Sequence, residues 1–266
     1  MMNNIVIRTL ETIDELEELR RLESIIWSES ESIPSSQTIT AIKNGGMALG
    51  AFLEDVLIGF QYSFPGYDGK KVYLCSHTLG IHPEYQKLGI GEKLKLVQKE
   101  EALKKGYDLI TWTYDPLETV NGYLNLHKLG ARCSIYVENC YGEMQDNLNQ
   151  GMPSDRFTVE WWIKEENPAR PAQYKVGNML IKPGRDSNGN LVPAEIDLKK
   201  DAADDYLFIP VPSDVQSMKK NDPELALSWR NGTREVFSHY FHKGWTAIDL
   251  FRSEIESDLC YYVLKK

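Results

Sequence analysis

The stretch LGIHPEYQKLGIGEKLKL, residues 79–96, limits what this chain can fold into more than any other part of it. An apolar run ends at Pro83, the pattern Gln-x-x-Gly-x-Gly follows from Gln86 to Gly91, and a charged, helix-like segment comes next. Glycine is a poor helix former, so Gly89 and Gly91 at a helix start need a reason: one is a ligand that approaches the backbone more closely than side chains allow, the other an ordinary glycine-containing turn. The first amides of a helix have no intrahelical partners, and together with the helix dipole they form an anion site without basic side chains. Lys87 and Lys93 add charge nearby. A dinucleotide-binding turn fits poorly because no third glycine and no ribose-binding acid follow, and a phosphate loop fails for lack of Gly-Lys-Ser/Thr.

The flanking pattern alternates strands and helices. Residues 5–10 read as a strand, and TIDELEELRRLESIIW places Ile13, Leu16, Leu19, Leu22 and Ile26 at helical spacing behind Thr12 as a cap. A short helix is expected over 36–43, stopped by Gly45-Gly46, then a hairpin turning at Glu54-Asp55 and a strand running into Pro83. The helix after Gly91 ends at Lys104-Lys105-Gly106, and YDLITWTY is the next strand. Asp115-Pro116-Leu117-Glu118 predicts a helix start with Asp115 as cap, the helix reaching Leu129-Gly130. Strands RCSIYVEN and RFTVEWWI flank a polar loop, 141–155, and 165–175 reads as a linker. The tail reads as strands around SNGN, a helix opened by Asp222-Pro223, and two closing strands. DSNGNLVPAEID has the wrong glycine position for a calcium loop and predicts a hairpin turn. A helix ending in Lys-Leu-Gly or Lys-Gly before two strands occurs at 123–163 and again at 236–265, a weak internal echo.

The 266 residues carry a net charge of −9, which argues against nucleic acid as a partner. No apolar run reaches membrane-spanning length and no secretory signal is evident, so a cytoplasmic location with no membrane partner is expected. Cys75, Cys133, Cys140 and Cys260 lack metal-like spacing and are expected as reduced thiols, with no metal.

The element order, with LGIHPEYQKLGIG and the later YLNLHKLGA, resembles the GCN5-related N-acetyltransferase (GNAT) superfamily over roughly residues 5–164. TWTYDPLETVNGYLNLHKLGA with YGEMQDNLNQGMPSDRFTVEWW is similar to one branch of predicted acyltransferases with an added C-terminal portion, associated with N-acylation of amino acids, succinylation included. The resemblance implies an α/β GNAT acyl-CoA N-acyltransferase fold on residues 1–164. A smaller α+β portion follows on 165–266, either separate or packed into the same globule. It further implies acetyl-CoA or another acyl-CoA as co-substrate, a small-molecule amine as acceptor, and a homodimer as one assembly open to it. By resemblance, Leu79 and Ile81 hold the pantetheine arm through their backbone, Gln86, Lys87, Leu88, Gly89, Ile90 and Gly91 hold the pyrophosphate, and the strand at 107–114 splays away to admit the thioester.

Amine acylation needs a neutral amine, hence a base. His77 is the candidate: two-residue alternation puts it on the face of Leu79 and Ile81, and a hydrogen-bonded core histidine is the competing reading. His82 and His127 read as surface residues. Leu126 falls where the family commonly has a tyrosine that protonates the leaving thiolate, which leaves Tyr114, Tyr123 and Tyr141 as nearby candidates for that task. Asn121 and Asn125 are candidates for the pantetheine arm or the acceptor, Tyr141 and Arg156 for the acceptor, with Arg156 suited to a carboxylate. Two other functions stay open: a CoA-binding regulatory module without catalysis, and a protein N-acetyltransferase.

Overall fold

In the computed structural model, residues 5–144, 150–167, 170–200 and 206–266 are described. Residues 145–149 of the expected acceptor loop and 168–169 of the expected linker lie outside them. The chain forms two compact units, one of residues 1–112 with 162–166, the other of 113–161 with 167–266.

In the first unit, β1 (Ile5–Thr9) leads to α1 (Ile13–Ile26), whose start is fixed by a capping box. Thr12 accepts from the Glu15 amide while the Glu15 carboxylate accepts from the Thr12 amide, satisfying donors that a bare helix end leaves open. Leu16, Leu19 and Leu22 then bury against Leu10, Phe52, Phe60 and Tyr62, each such leucine worth roughly 1.5–3 kcal/mol of burial. After α2 (Ser35–Lys43), β2 (Met47–Leu53) and β3 (Val56–Tyr67) form the expected hairpin, and β4 (Val72–Ile81) pairs antiparallel with β3. A 3₁₀ turn at Pro83–Tyr85 precedes α3 (Ile90–Lys104), which packs Ile90 and Leu94 onto Leu49, Ala51 and Ile58. Strand β5 (Leu109–Tyr114) joins β4 in parallel, so the order here is β1-β2-β3-β4-β5.

In the second unit, α4 (Thr119–Gly122) continues as a π-helix over Tyr123–Lys128. Strands β6 (Arg132–Val137) and β7 (Arg156–Trp162) follow; β8 (Ile181–Arg185) and β9 (Leu191–Ile196) form a separate hairpin. Asp186 accepts from the amides of Asn188 and Asn190, tying that turn. Then come β10 (Leu207–Pro212), α5 (Val215–Asn221), α6 (Pro223–His242), β11 (Thr246–Arg252) and β12 (Leu259–Lys265), in the sheet order β7-β6-β11-β12-β10. The sequence echo has a structural counterpart: each helix ends in a glycine at positive φ (Gly130, +70°; Gly244, +83°) and leads into an antiparallel strand pair, β6–β7 and β11–β12. Aromatic rings fill this core, Phe157 meeting Phe237 edge-on at 4.6 Å and Tyr262 at 5.6 Å.

One local expectation is corrected and one strand is new. The helix begins at Thr119, not Pro116: Asp115 accepts from the Leu117 amide as a cap would and pairs with fully buried Arg230 of α6, but the residues after it close a turn, the Glu118 amide donating to the Asp115 carbonyl at 2.9 Å, before the helix starts. The strand β10 carries two prolines in LFIPVP, which suit a strand with a sparse neighbour on one side: among the described residues it ladders with β12 and otherwise makes an isolated parallel bridge, Phe208 with Met179.

Candidate active site

Residues Gln86–Gly91, expected to hold the cofactor, form a tight turn into α3 in the first unit. Lys87 and Gly89 both take left-handed backbone (φ 64° and 74°), turning the chain sharply before α3. The first helical hydrogen bond runs from the Lys93 amide to the Gly89 carbonyl at 3.2 Å. Among the described residues, the amides of Leu88, Gly89, Ile90 and Gly91 donate to no backbone carbonyl outside the helix, the pattern that suits a phosphate. A Cβ at Gly89 would meet only open space, and one at Gly91 would make ordinary contact with Leu79 at 3.6 Å, so packing demands neither glycine. Ile90 is buried as a side chain and Gln86 and Lys87 are exposed.

Among the described residues, strand β4 pairs with β5 only at Leu74–Ile110 and Cys75–Thr111. Residues 76–81 therefore present an edge with no ladder on that side, the condition for an extended ligand to add as a strand.

His77 is not on the face of Leu79 and Ile81. The β3–β4 register shifts between Tyr62–Thr78 and Ser63–Ser76, leaving His77 as the extra residue of a β-bulge. The bulge reverses the alternation: Leu79 and Ile81 pack with α3, whereas the His77 ring lies 5.4 Å from Phe64 and 6.1 Å from Tyr62. The residue is exposed, yet these rings strip water from the imidazole and lower its pKa below the usual histidine value. Its ring nitrogens make no hydrogen bond among the described residues, so His77 is not a tied-up core histidine. Tyr62 and Phe64 also line an open groove of about 640 Å³ with Ser36, Gln37, Thr40, Ala41 and Asn44 of α2. His82 instead caps the 3₁₀ turn, its Nδ1 accepting from the Glu84 amide at 3.3 Å.

Two groups that periodicity hides lie around β4. Glu23 of α1 is buried, and accepts from the Ile33 amide at 3.0 Å and the Thr78 hydroxyl at 3.4 Å; burial raises its pKa. Lys95 of α3 is buried with its ammonium 3.6 Å from the Trp112 ring and 2.8 Å from Ser76 Oγ, and burial lowers its pKa to about 7. Ser63, Gln61 and Gln98 complete this polar pocket in the core, with Gln61 Oε1 unpaired.

In the second unit, Tyr114 is buried and its hydroxyl is bonded to that of Tyr262 at 3.1 Å; burial drives its pKa well up, which ill suits a proton donor. Tyr123 is exposed. Asn121 is exposed and Asn125 is buried. Tyr141 is exposed with its hydroxyl 2.8 Å from Thr113 Oγ1, and its ring lies 5.4 Å from the Arg156 guanidinium. Arg156 is buried, donates to the Asp155 carbonyl at 2.9 Å and lies 3.9 Å from Asp115. His127, read as a surface residue, is half-buried and its Nδ1 lies 2.9 Å from Asp249 Oδ1 on β11. Leu126 is fully buried, so that position of the π-helix presents no side chain to solvent. All four cysteines are free, and among the described residues no helix is long and apolar enough to cross a membrane.

Comparison with curated protein sequences returned no match. A putative acetyltransferase from Salmonella typhimurium, solved with its cofactor acetyl-CoA, is 16% identical, covers 64% of this chain and 100% of its own, and superposes with a TM-score of 0.50. An N-acetyltransferase from Staphylococcus aureus is 15% identical over 61% of this chain and 100% of its own (TM-score 0.49). An acetyltransferase of the GNAT family from Streptococcus pneumoniae is 18% identical over 59% and 98% (TM-score 0.47). The family model described as Acetyltransferase (GNAT) family matches residues 15–131, which span the capped helix, the bulged strand and the glycine cradle. Residues 15–131 thus match the GNAT acetyltransferase family, and the chain shares the fold of the Salmonella protein.

Proposed function

We propose that this protein transfers an acyl group, acetyl or succinyl, from acyl-CoA to the amine of a small molecule, an amino acid being one fitting acceptor. The observation that carries the reading is the first unit's combination of unpaired amides at Leu88–Gly91, an open edge at 76–81, and His77 beside an uncharged groove. The acetyl-CoA bound by the Salmonella protein supports the choice of co-substrate. The pyrophosphate takes the helix amides, and Leu79 and Ile81 meet the pantetheine arm through their backbone. Ser36, Gln37, Thr40 and Asn44 offer hydrogen bonds, and Tyr62 and Phe64 offer apolar faces, a lining that favours a neutral small-molecule body over a charged peptide.

The acceptor amine, with a reference pKa near ~8, is mostly protonated at neutral pH. His77, held neutral by its depressed pKa, takes that proton directly or through water. The freed amine attacks the thioester carbonyl, and fixed backbone amides stabilise the oxyanion.

Calorimetric titration with acetyl-CoA, succinyl-CoA and free CoA, followed by an amine screen with the preferred ester, tests the reading. Ester binding with turnover of a small amine is expected. Failure of all three to bind refutes it, and turnover of peptides alone would move the acceptor to protein.

A further inference from the structure

The first unit holds a buried cation without a counter-charge where the open edge of β4 ends, and we propose that Lys95 binds the carboxylate of a dicarboxylic acyl group, which makes a succinyl-type ester of CoA the donor. This rests on the acyl-transfer reading above and names the acyl class that reading leaves open.

Helix α3 runs back along β4. Its first residue, Ile90, lies in the apolar cluster with Leu79 and Ile81, whereas Lys95, further along the helix, reaches Ser76. A cofactor with its pyrophosphate on the Leu88–Gly91 amides therefore has its arm directed down the edge from Ile81 towards Ser76. Residues 76–81 span about 17 Å at ~3.3 Å per step, the reach of an extended pantetheine arm. The acyl group then arrives where the two strands part. The last ladder pair there is Cys75–Thr111, and the next residue on each strand is Ser76 and Trp112. The Lys95 ammonium touches both, 2.8 Å from Ser76 Oγ and 3.6 Å from the centre of the Trp112 ring. It stands in the fork.

Lysine is almost never fully buried unless paired, yet Lys95 is only 4% exposed and no carboxylate among the described residues pairs with it. Gln61, Ser63 and Gln98 surround it with neutral groups, and the Gln61 Oε1 has no partner, so the network is not closed on itself. Burial pushes the neighbouring Cys75 thiol up, so it stays neutral and supplies no counter-charge. Burial likewise lowers the Lys95 pKa to about 7, the mark of a cation in want of an anion. A carboxylate brought in by the ligand meets that want. An acceptor's carboxylate offers the same chemistry, but Gln61 and Ser63 alternate along β3 with Tyr62 and Phe64, which line the groove on the α2 side. Lys95 thus faces away from the groove proposed for the acceptor.

Calorimetric binding without any acceptor compares succinyl-CoA with butyryl-CoA, an ester of matching length that ends in a methyl group. Wild type should bind succinyl-CoA about 10- to 100-fold tighter, the range of one hydrogen bond to a charged group. Lys95→Met, which sheds a buried charge and should fold, should reverse that order. At pH 8, succinyl-CoA should also draw onto wild type a proton that butyryl-CoA does not, read from the binding heats in two buffers of different ionisation enthalpy; Cys75, the other titratable group against this ammonium, is already protonated. Equal affinity for the two esters, or a preference that persists in Lys95→Met, overturns the inference while acyl transfer stands. Equal affinity with amino-acid binding lost in Lys95→Met overturns it too, by moving the carboxylate to the acceptor. Failure of wild type to bind either ester overturns the acyl-transfer reading and this inference with it.

Discussion

Replacing Lys95 by methionine should stabilise the protein at low pH and lose that advantage as pH rises. The ammonium is buried against Trp112 and donates to the Ser76 hydroxyl, with no carboxylate paired to it among the described residues, so burial lowers its pKa from 10.5 to about 7. In the unfolded chain the amine keeps its ordinary pKa. Below pH 7 both states carry the proton and the folded state bears the whole penalty of the buried charge. Above 10.5 neither carries it and the penalty is gone. Between them stability rises with pH, because the unfolded state binds the extra proton. At about 1.36 kcal/mol per pH unit, the full penalty is roughly 5 kcal/mol. Between pH 7 and 9.5 the wild type should therefore gain roughly 3 kcal/mol relative to Lys95→Met. The variant gives up the bond to Ser76 and the contact with Trp112, together about 1–3 kcal/mol, so its net gain at pH 6 is smaller than the penalty but positive. Urea unfolding of both proteins from pH 6 to 9.5, followed by tryptophan fluorescence and circular dichroism, measures the difference; titrations elsewhere cancel in it. A difference that stays flat over this range would show that Lys95 is not held neutral by burial, and the reasoning would fall.

Gly91→Glu should fold normally, since its Cβ meets only Leu79 at 3.6 Å, but lose CoA affinity because a carboxylate then occupies the phosphate position; unchanged calorimetric binding would remove the cradle. His77→Gln should slow turnover most at acidic pH, where the acceptor amine most needs a base, and an unaltered pH–rate profile would exclude it. Arg230→Met removes the nearer of the two guanidinium partners of Asp115, leaving Arg156 at 3.9 Å, and should cost about 3–5 kcal/mol in urea unfolding. Asp155 reports at acid pH with the same slope as Lys95, stability rising with pH, but because the folded state favours its charge rather than penalising it. Burial alone would raise its pKa, but hydrogen bonds from Arg234, Tyr136 and the Asn139 amide outweigh this and hold it below 3.8. Its contribution is present above that value and lost as pH falls through the depressed pKa, so Asp155→Asn should flatten the acid limb of the stability curve.

The sequence by itself determined what depends on neighbours a few residues away. The Thr12 cap, the hairpin at Glu54-Asp55, the strand–glycine–helix order at 79–104 and the glycine stops at 130 and 244 are short-range signals, and each formed where it was written. The candidate catalytic groups are another matter, because their orientation depends on partners distant in the chain. One extra residue in β4 turned His77 to the face opposite Leu79, which strict alternation cannot foresee. The π-helix shifted which side chains of YLNLHK meet solvent, burying Leu126 and pairing His127 with Asp249, 122 residues away. Lys95 and Arg230 look like surface residues of charged helices and prove to be buried. Patterning fixes which elements form, since propensity and capping act within a turn or two. Register shifts, widened turns and buried ion pairs arise only when those elements pack, and only the tertiary structure decided them.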